Sequence, residues 1–528
     1  MKNTIIKITT ITAFVVVGFT SCTKNLDLTP LNNATADQVY ATSTGYKQSL
    51  AKVYSAFALT GANGPGSSDV AGIDAGTADF LRLFWKAQEL STDEAVVAWG
   101  DPGIQDFHLM NWGSDNPLTR GLYYRSIYQI NLANEFIRQS TPDKVVGRGI
   151  TGTSADSIKT YAAEVRFLRA YQYWVLMDLF GNPPFVTETD LIGTALPIQI
   201  SRKDLFTYLE TELKAIETLL PAARTNEYGR AEKSAAQALL ARLYLNAEVY
   251  TGTPRYTDAI TYSKKVIDGG YSLIGNYRHL MLADNNTNTS ENIFTINYDG
   301  LKTQTYGGTT FIKNASLGGD MNSSDYGTTQ AWGGIRATKN LPNLFPDVNG
   351  TADKRAQFFT SGQNLEINSL TTFRDGLAVT KYRNVSKSGV AGSDPLFSDI
   401  DMPIFRLAEQ YLIYAEAVTR GGTGGDAVQA LSYINLLRTR AYGNASGNIT
   451  SATLNTNFII DERARELYWE GHRRTDLIRF NRFVEGTYLW PWKGGTKDGT
   501  AVSANRKLYP IPSSDLVANP NLKQNPGY

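Results

Sequence analysis

The sequence predicts a mostly α-helical protein, a scaffold of tetratricopeptide-like helical hairpins carrying a loop-rich insertion with short β-strands. Three observations lead there. Apolar residues recur at i, i+3, i+4 and i+7 in a series of segments separated by short turns marked by Gly or Pro. That periodicity disappears between Tyr271 and Met402, where Asn, Thr, Gly and Ser dominate. It resumes from Leu407 to Phe480. No clean repeat of about 34 residues is visible, so helix length and spacing carry the hairpin reading rather than self-similarity.

At the amino terminus, Lys2 and Lys7 precede an apolar run, Ile8 to Phe19, too short to cross a bilayer as a helix. It reads as a signal peptide over residues 1–21. The only cysteine, Cys22, follows Phe19-Thr20-Ser21, where a lipoprotein signal places the residue to be acylated, although Phe19 departs from the usual lipobox. Residues 22–35 then form a polar tether to a body spanning 36–528. Acyl chains on Cys22 would anchor that body to a membrane.

The first helix of the body is expected over Ala36 to Ala58, where Val39, Tyr46, Leu50, Val53, Tyr54 and Phe57 share a side. Gly61 to Gly76 reads as a loop. Arg120 to Ile137 is amphipathic, and Phe167 to Phe180 is apolar nearly all round, as a helix buried on several sides should be. Gly181 and Pro183-Pro184 stop it. Ser201 is a plausible N-cap for the stripe Phe206, Leu209, Leu213, Ile216 and Leu220. Leu239 to Ala247 and Ala259 to Ile267 give two more helices.

Residues 271–402 are too many for one loop, so they should fold as an irregular insertion with small sheets, with a strand over Ile293 to Tyr298. Loops on a rigid scaffold are where binding groups collect. Helices are then expected at Leu407 to Val418, Ala427 to Thr439 and Phe458 to Phe480, completing a helical part over 36–270 and 403–482. Within the last of these, Ala464, Leu467, Tyr468 and Gly471 mark one helical face. Glu462 with Arg465, Glu470 with Arg473 and Arg474, and Arg473, Asp476 and Arg479 at steps of three can pair along the helix, and their density suggests an internal ion-pair ladder between packed helices. The tail, 483–528, is expected to wrap on the surface.

Composition excludes some functions. Lys+Arg 51 against Asp+Glu 50 leaves a formal charge of +1, so no basic excess points to nucleic acid. No nucleophile elbow, zincin pair or Walker loop is present, and the three histidines, His108, His279 and His472, do not build a triad. Asp93-Glu94 and Asp320/Asp325 are the acid/base candidates, and both are read as solvated loop acids. Asp284 to Glu291 alternates oxygen ligands and suggests calcium faintly, but lacks the glycine and glutamate of an EF-hand loop. A turn is the preferred reading.

A sugar ring has a C–H face and a hydroxyl rim, so its binder wants flat aromatics beside Asp, Asn, Arg or Gln. Trp99-Gly100-Asp101 and Trp332-Gly333-Gly334-Ile335-Arg336 offer that pairing in turn-like stretches, with Tyr298 or Tyr306 as a third plate and Trp112 in reserve. Core packing is the competing reading of each ring.

Asp461 to Phe480 (DERARELYWEGHRRTDLIRF) closely resembles the C-terminal helical signature of the SusD/RagB family, nutrient-binding outer-membrane lipoproteins of the Bacteroidetes. Ala163 to Glu188, Arg406 to Ala417 and Leu508 to Tyr528 resemble its other signatures, in the expected order. The resemblance implies four tetratricopeptide-like helix pairs, a surface location, and a SusC-like TonB-dependent transporter that covers the ligand face. It also implies an arc of aromatics that cradles a glycan, carried by Trp99, Tyr298 and Trp332 with Asp101 and Arg82 on the rim. Some members of the family hold calcium. The expected function is capture of an oligo- or polysaccharide without catalysis, with a peptide-capturing RagB-like member or a surface glycosidase as alternatives.

Overall fold

The computed structural model describes residues 35–190, 193 and 195–528. The signal peptide, Cys22 and nearly all of the tether therefore lie outside the described residues. Among those described, no helix is long and apolar enough to cross a membrane.

Most predicted helices form close to their expected bounds, and their caps explain their ends. Ser43–Ala58 starts at Thr42, whose side chain accepts from the Gly45 amide; a separate turn, Ala36–Val39, precedes it. Pro117–Gln139 begins at Asn116, which accepts from the amides of Leu118 and Thr119. Gly152–Phe180 ends at Gly181, whose φ of 76° favours glycine. Ser201 caps Arg202–Glu217 through the Asp204 amide, as expected.

These helices pack in chain order. Pro117–Gln139 lies against Gly152–Phe180, which lies against Arg202–Glu217; Lys233–Leu245 and Tyr256–Ile267 continue the series. Tyr256–Ile267 packs directly on Leu407–Thr419, which contacts both Ala427–Tyr442 and Thr456–Leu467. The intervening residues 271–402 are thus looped out of one continuous array, which matches the predicted tetratricopeptide-like scaffold.

The insertion is more regular than its composition suggests. Asn292–Ile296 pairs antiparallel with Met402–Arg406, Ala95–Val97 with Ile335–Ala337, and Phe358–Phe359 with Ala378–Val379. It also holds a fully buried helix, Gly308–Ala315, that packs on a second unforeseen helix, Phe80–Glu89. The tail is not merely laid on the surface. Trp490, Tyr509 and Ile511 are buried, and the Tyr509 hydroxyl donates to the Ala87 carbonyl at 2.8 Å.

The charged stretch near the C-terminus corrects the expectation most sharply. It is two helices, Thr456–Leu467 and Arg473–Arg479, broken where Trp469 and Gly471 adopt φ of 64° and 81°. A Cβ on Gly471 would meet Phe84 at 2.8 Å, so glycine serves both the turn and the close approach. The ladder joins packed elements, as the charge density suggested, and Asp476 pairs with Arg479 at 2.8 Å, but other partners differ from those the spacing gave. Glu470 pairs with Arg406 at 2.8 Å and Lys381 at 2.6 Å rather than with Arg473 or Arg474. Glu462 takes Arg355 and Arg438 as well as the expected Arg465, and Glu466 takes Arg406 and Arg440. These buried pairs bolt separate elements together.

Candidate functional site

Two chain segments leave the small Ala95–Val97/Ile335–Ala337 sheet side by side, and each carries a tryptophan just beyond it. The ladder extends one step further, the Ala98 amide donating to the Gly334 carbonyl at 2.8 Å. Trp99 and Trp332 are thereby brought together, ring centroids 6.4 Å apart and planes inclined by 50°. The Trp99 indole N–H donates to the Trp332 carbonyl at 3.1 Å, which fixes that ring while leaving both indoles half-buried at the edge of the core.

The supports beneath explain the local sequence. The amides of Trp332, Gly333 and Gly334 donate to the carbonyls of Asn314, Leu317 and Ala315, closing the C-terminal end of the Gly308–Ala315 helix. A side chain at Gly334 would run into the Trp99 ring, so the glycine is what lets the indole lie flat there. Phe311, on that helix, sits 6.1 Å from Trp99. Gln105 holds the Trp99 backbone by donating to its carbonyl at 2.5 Å.

Arg82 links this pair to a third aromatic. Its guanidinium lies 4.5 Å from the Phe311 centroid and 5.8 Å from that of Trp99. Nη1 donates to the carbonyls of Gly76 at 2.7 Å and Tyr306 at 2.8 Å. Tyr306 is 37% exposed and packs on Phe397 at 5.6 Å, and its backbone is tied to the Arg82 that lies beneath the indoles. Arg82 is 7% exposed, and burial lowers its pKa to about 10. It braces the patch from below rather than lining a rim. Asp101 is exposed beside it, and its charge favours the cationic form of Arg82.

Of the predicted site residues, the structure therefore gathers Trp99, Trp332, Arg82 and Asp101. Tyr298 is the exception, and Tyr306, the alternative third plate, is the exposed one of the two. Tyr298 is 5% exposed, its ring lies where a Gly308 side chain would go, and burial pushes its hydroxyl pKa far up. It offers no face to a ligand. Trp112, the reserve, is also core, 1% exposed and donating to the Tyr528 hydroxyl at 2.7 Å.

The sequence reading missed Asp79. Its Oδ1 accepts from the Arg82 amide at 3.0 Å and from the Gly308 amide at 3.1 Å, so one carboxylate serves the starts of both buried helices under the patch. A Cβ on Gly307 would collide with it. An Asp immediately before the run Phe80-Leu81-Arg82-Leu83-Phe84-Trp85 was the available signal.

Other candidates resolve into structure. Asp93 and Glu94 are buried, not solvated: Asp93 accepts a forked pair from Arg473 at 2.7 and 2.6 Å, and Glu94 accepts the Trp469 amide at 3.2 Å. Glu89, beside Glu94, accepts the Gly471 amide at 2.6 Å. Burial raises Glu89 to about 7 and Glu94 well above the carboxylate range, so the site favours the protonated form of this pair. Asp320 pairs with Arg374 at the surface, and Asp325 accepts from Asn322 at 3.1 Å. His108 is buried with Nδ1 3.0 Å from the Leu90 carbonyl, and burial lowers it to about 4. His472 has Glu409 3.9 Å away.

The oxygen-rich run from Asp284 folds as a turn around Asn285–Thr287. Asn285 bonds to the Asp401 backbone, and Glu291 pairs with Arg406 and Arg440. Among the described residues, no group of three or more His, Cys, Asp or Glu is placed to hold a metal.

Comparison with known proteins supplies what geometry alone does not. Residues 358–528 match the SusD family model, and residues 88–245 match a model described as starch-binding associating with outer membrane. The chain is 35% identical to the starch-binding protein SusD of Bacteroides thetaiotaomicron, over 97% of this chain and 96% of that one. It is 26% identical to SusD-like protein P2 of Formosa agariphila, over 81% and 85%. Among solved structures, a SusD homologue of Bacteroides thetaiotaomicron superposes with a TM-score of 0.75 at 19% identity, covering 94% of this chain and 99% of that one. A surface glycan-binding protein A from the same organism, in complex with laminarihexaose, superposes at 0.68 and 21% identity, covering 91% and 99%.

Proposed function

The chain belongs to the SusD family, and on that premise we propose that it is a carbohydrate-binding protein whose stacking surface is the Trp99, Trp332 and Tyr306 patch. The observation that carries the reading is the indole pair itself. Trp99 is held by a hydrogen bond to the backbone of Trp332, and Gly334 keeps a side chain out from under it. A preformed aromatic surface needs little ordering when a sugar ring lies on it. Asp101 is at hand for hydroxyls, and a polymer spanning several such contacts would gain from multivalency.

The same reading makes the protein a capture device with no hydrolytic step, lipidated at Cys22, tethered at the outer membrane, and passing its glycan to a SusC-like TonB-dependent transporter. The starch-binding and laminarihexaose-bound relatives favour glucans over peptides as the first ligands to try. The test is a calorimetric screen of α- and β-glucan oligosaccharides against oligopeptides, with chromatography of each sugar afterwards. Saturable glucan binding with intact sugar supports the proposal. Peptide binding alone, or release of shorter sugars, overturns it.

A further inference from the structure

A cavity of about 310 Å³ opens between the Ser43–Ala58 helix and the Asn292–Ile296 strand, within the size range of small-molecule pockets. None of the stacking residues lines it. Leu50 and Phe57 from the helix face Phe294 and Ile296 from the strand, so its inner wall is apolar.

The third wall is the loop Glu227 to Arg230, and that loop is pinned. The Tyr228 hydroxyl donates to Asp401 at 2.9 Å, Arg230 forks onto Glu164, and between them Gly229, at φ 80°, lies so close to Asn297 that a side chain there would collide. On the far side of the same loop is a second, more polar cavity of about 230 Å³. Interiors otherwise close such spaces, because an unfilled apolar cavity forfeits packing. Here the pinning holds the space open.

We infer that this cavity is a second ligand site, for an uncharged amphipathic molecule of one or two rings, its apolar body inward and its polar groups at the mouth. The walls decide the charge. Inside, Arg230 is committed to Glu164 and Tyr228 to Asp401, which leaves nothing to pair with a buried ion. At the mouth, Lys47 and Glu227 stand 3.7 Å apart and are both well exposed, so an ion of either sign meets a repelling partner as well as an attracting one. Hydroxyl or amide groups are suited to both.

The probe is 2-naphthol, a neutral two-ring alcohol, titrated against the full chain and followed by its fluorescence. Two blocking variants, Ala51→Trp and Ser55→Trp, place an indole across the mouth from the solvent side of the helix, and thermal melting checks that at least one folds. The site predicts saturable binding to the wild type, weakened about tenfold or more by a folded blocking variant. Binding should persist in Trp99→Ala/Trp332→Ala. No saturable binding, equal binding to the folded blocked variant, or loss in the tryptophan double variant each overturns the inference. Because naphthol binding is read without glycan, the result stands apart from the carbohydrate proposal.

Discussion

Asp79 and Gly308, far apart in sequence, meet in a single hydrogen bond of 3.1 Å from the Gly308 amide to Oδ1, and the same oxygen accepts the Arg82 amide at 3.0 Å. Burial raises the carboxyl pKa, so the environment tolerates the charge only because these donors face it. Through that bond one side chain registers the two helices that carry Arg82 and Phe311 beneath the indole pair.

Asp79→Ala should therefore destabilise the protein by about 1–3 kcal/mol, since it strips the caps of two helices at a buried position. Asp79→Asn, which keeps an acceptor, should recover part of it. Urea denaturation monitored by circular dichroism measures both.

Gly334→Ala is a local probe of the patch. The added methyl group runs into the Trp99 ring, so the indole must tilt away from its present plane. Glucan affinity should fall about tenfold or more while the melting temperature changes little. Calorimetry paired with thermal melting separates the two effects.

Arg406 uses its fork on Glu291, Glu466 and Glu470 and also donates to the Glu466 carbonyl at 2.7 Å, all of it buried. Arg406→Met leaves three acids short of their partner and should cost about 3–5 kcal/mol, the usual penalty for breaking one side of a buried pair. The linear-extrapolation free energy from guanidinium melts is the readout.

The pH dependence has two arms of opposite sign. Arg440, Arg406 and Arg355 hold Glu466 at about 2 despite burial, and Arg355, Arg465 and Arg438 hold Glu462 lower still. Depressed carboxyls add stability above about 4.5, their ordinary value, and lose it as pH falls through the folded value. Glu89, raised by burial to about 7, acts the other way. Its contribution is full below about 4.5 and is lost as pH rises through 7. The melting temperature should thus peak between about 4.5 and 7, and Glu89→Gln should flatten the decline on the alkaline side of that peak.

How far the sequence revealed the helices depended largely on their length. Pro117–Gln139 and Arg202–Glu217 expose one face, so their stripes and caps could be read directly. Phe80–Glu89 and Gly308–Ala315 are short, and their polar residues, Arg82, Lys86 and Lys313 among them, are buried with the apolar ones, so neither stands out as an extended helix with a wet face. Gly471 fitted the helical spacing of the Asp461 to Phe480 stretch and hid the break there. Only its φ of 81°, with Glu89 and Glu94 receiving the freed amides of Gly471 and Trp469, reveals it.

Ring chemistry in a Gly-flanked turn was enough to single out two tryptophans that the fold brings together, but not to tell the buried Tyr298 from the exposed Tyr306. Both tyrosines belong to one short segment. The Gly308 contact that buries the first, and the Arg82 bond that fixes the backbone of the second, are set by residues distant in sequence.

The most direct test of the stacking surface is isothermal titration of a glucan oligosaccharide into wild type and into Trp99→Ala/Trp332→Ala, with thermal melting to verify both folds. The account predicts that the folded double variant loses measurable affinity. A double variant that binds every glucan bound by the wild type, with unchanged affinity, would contradict it.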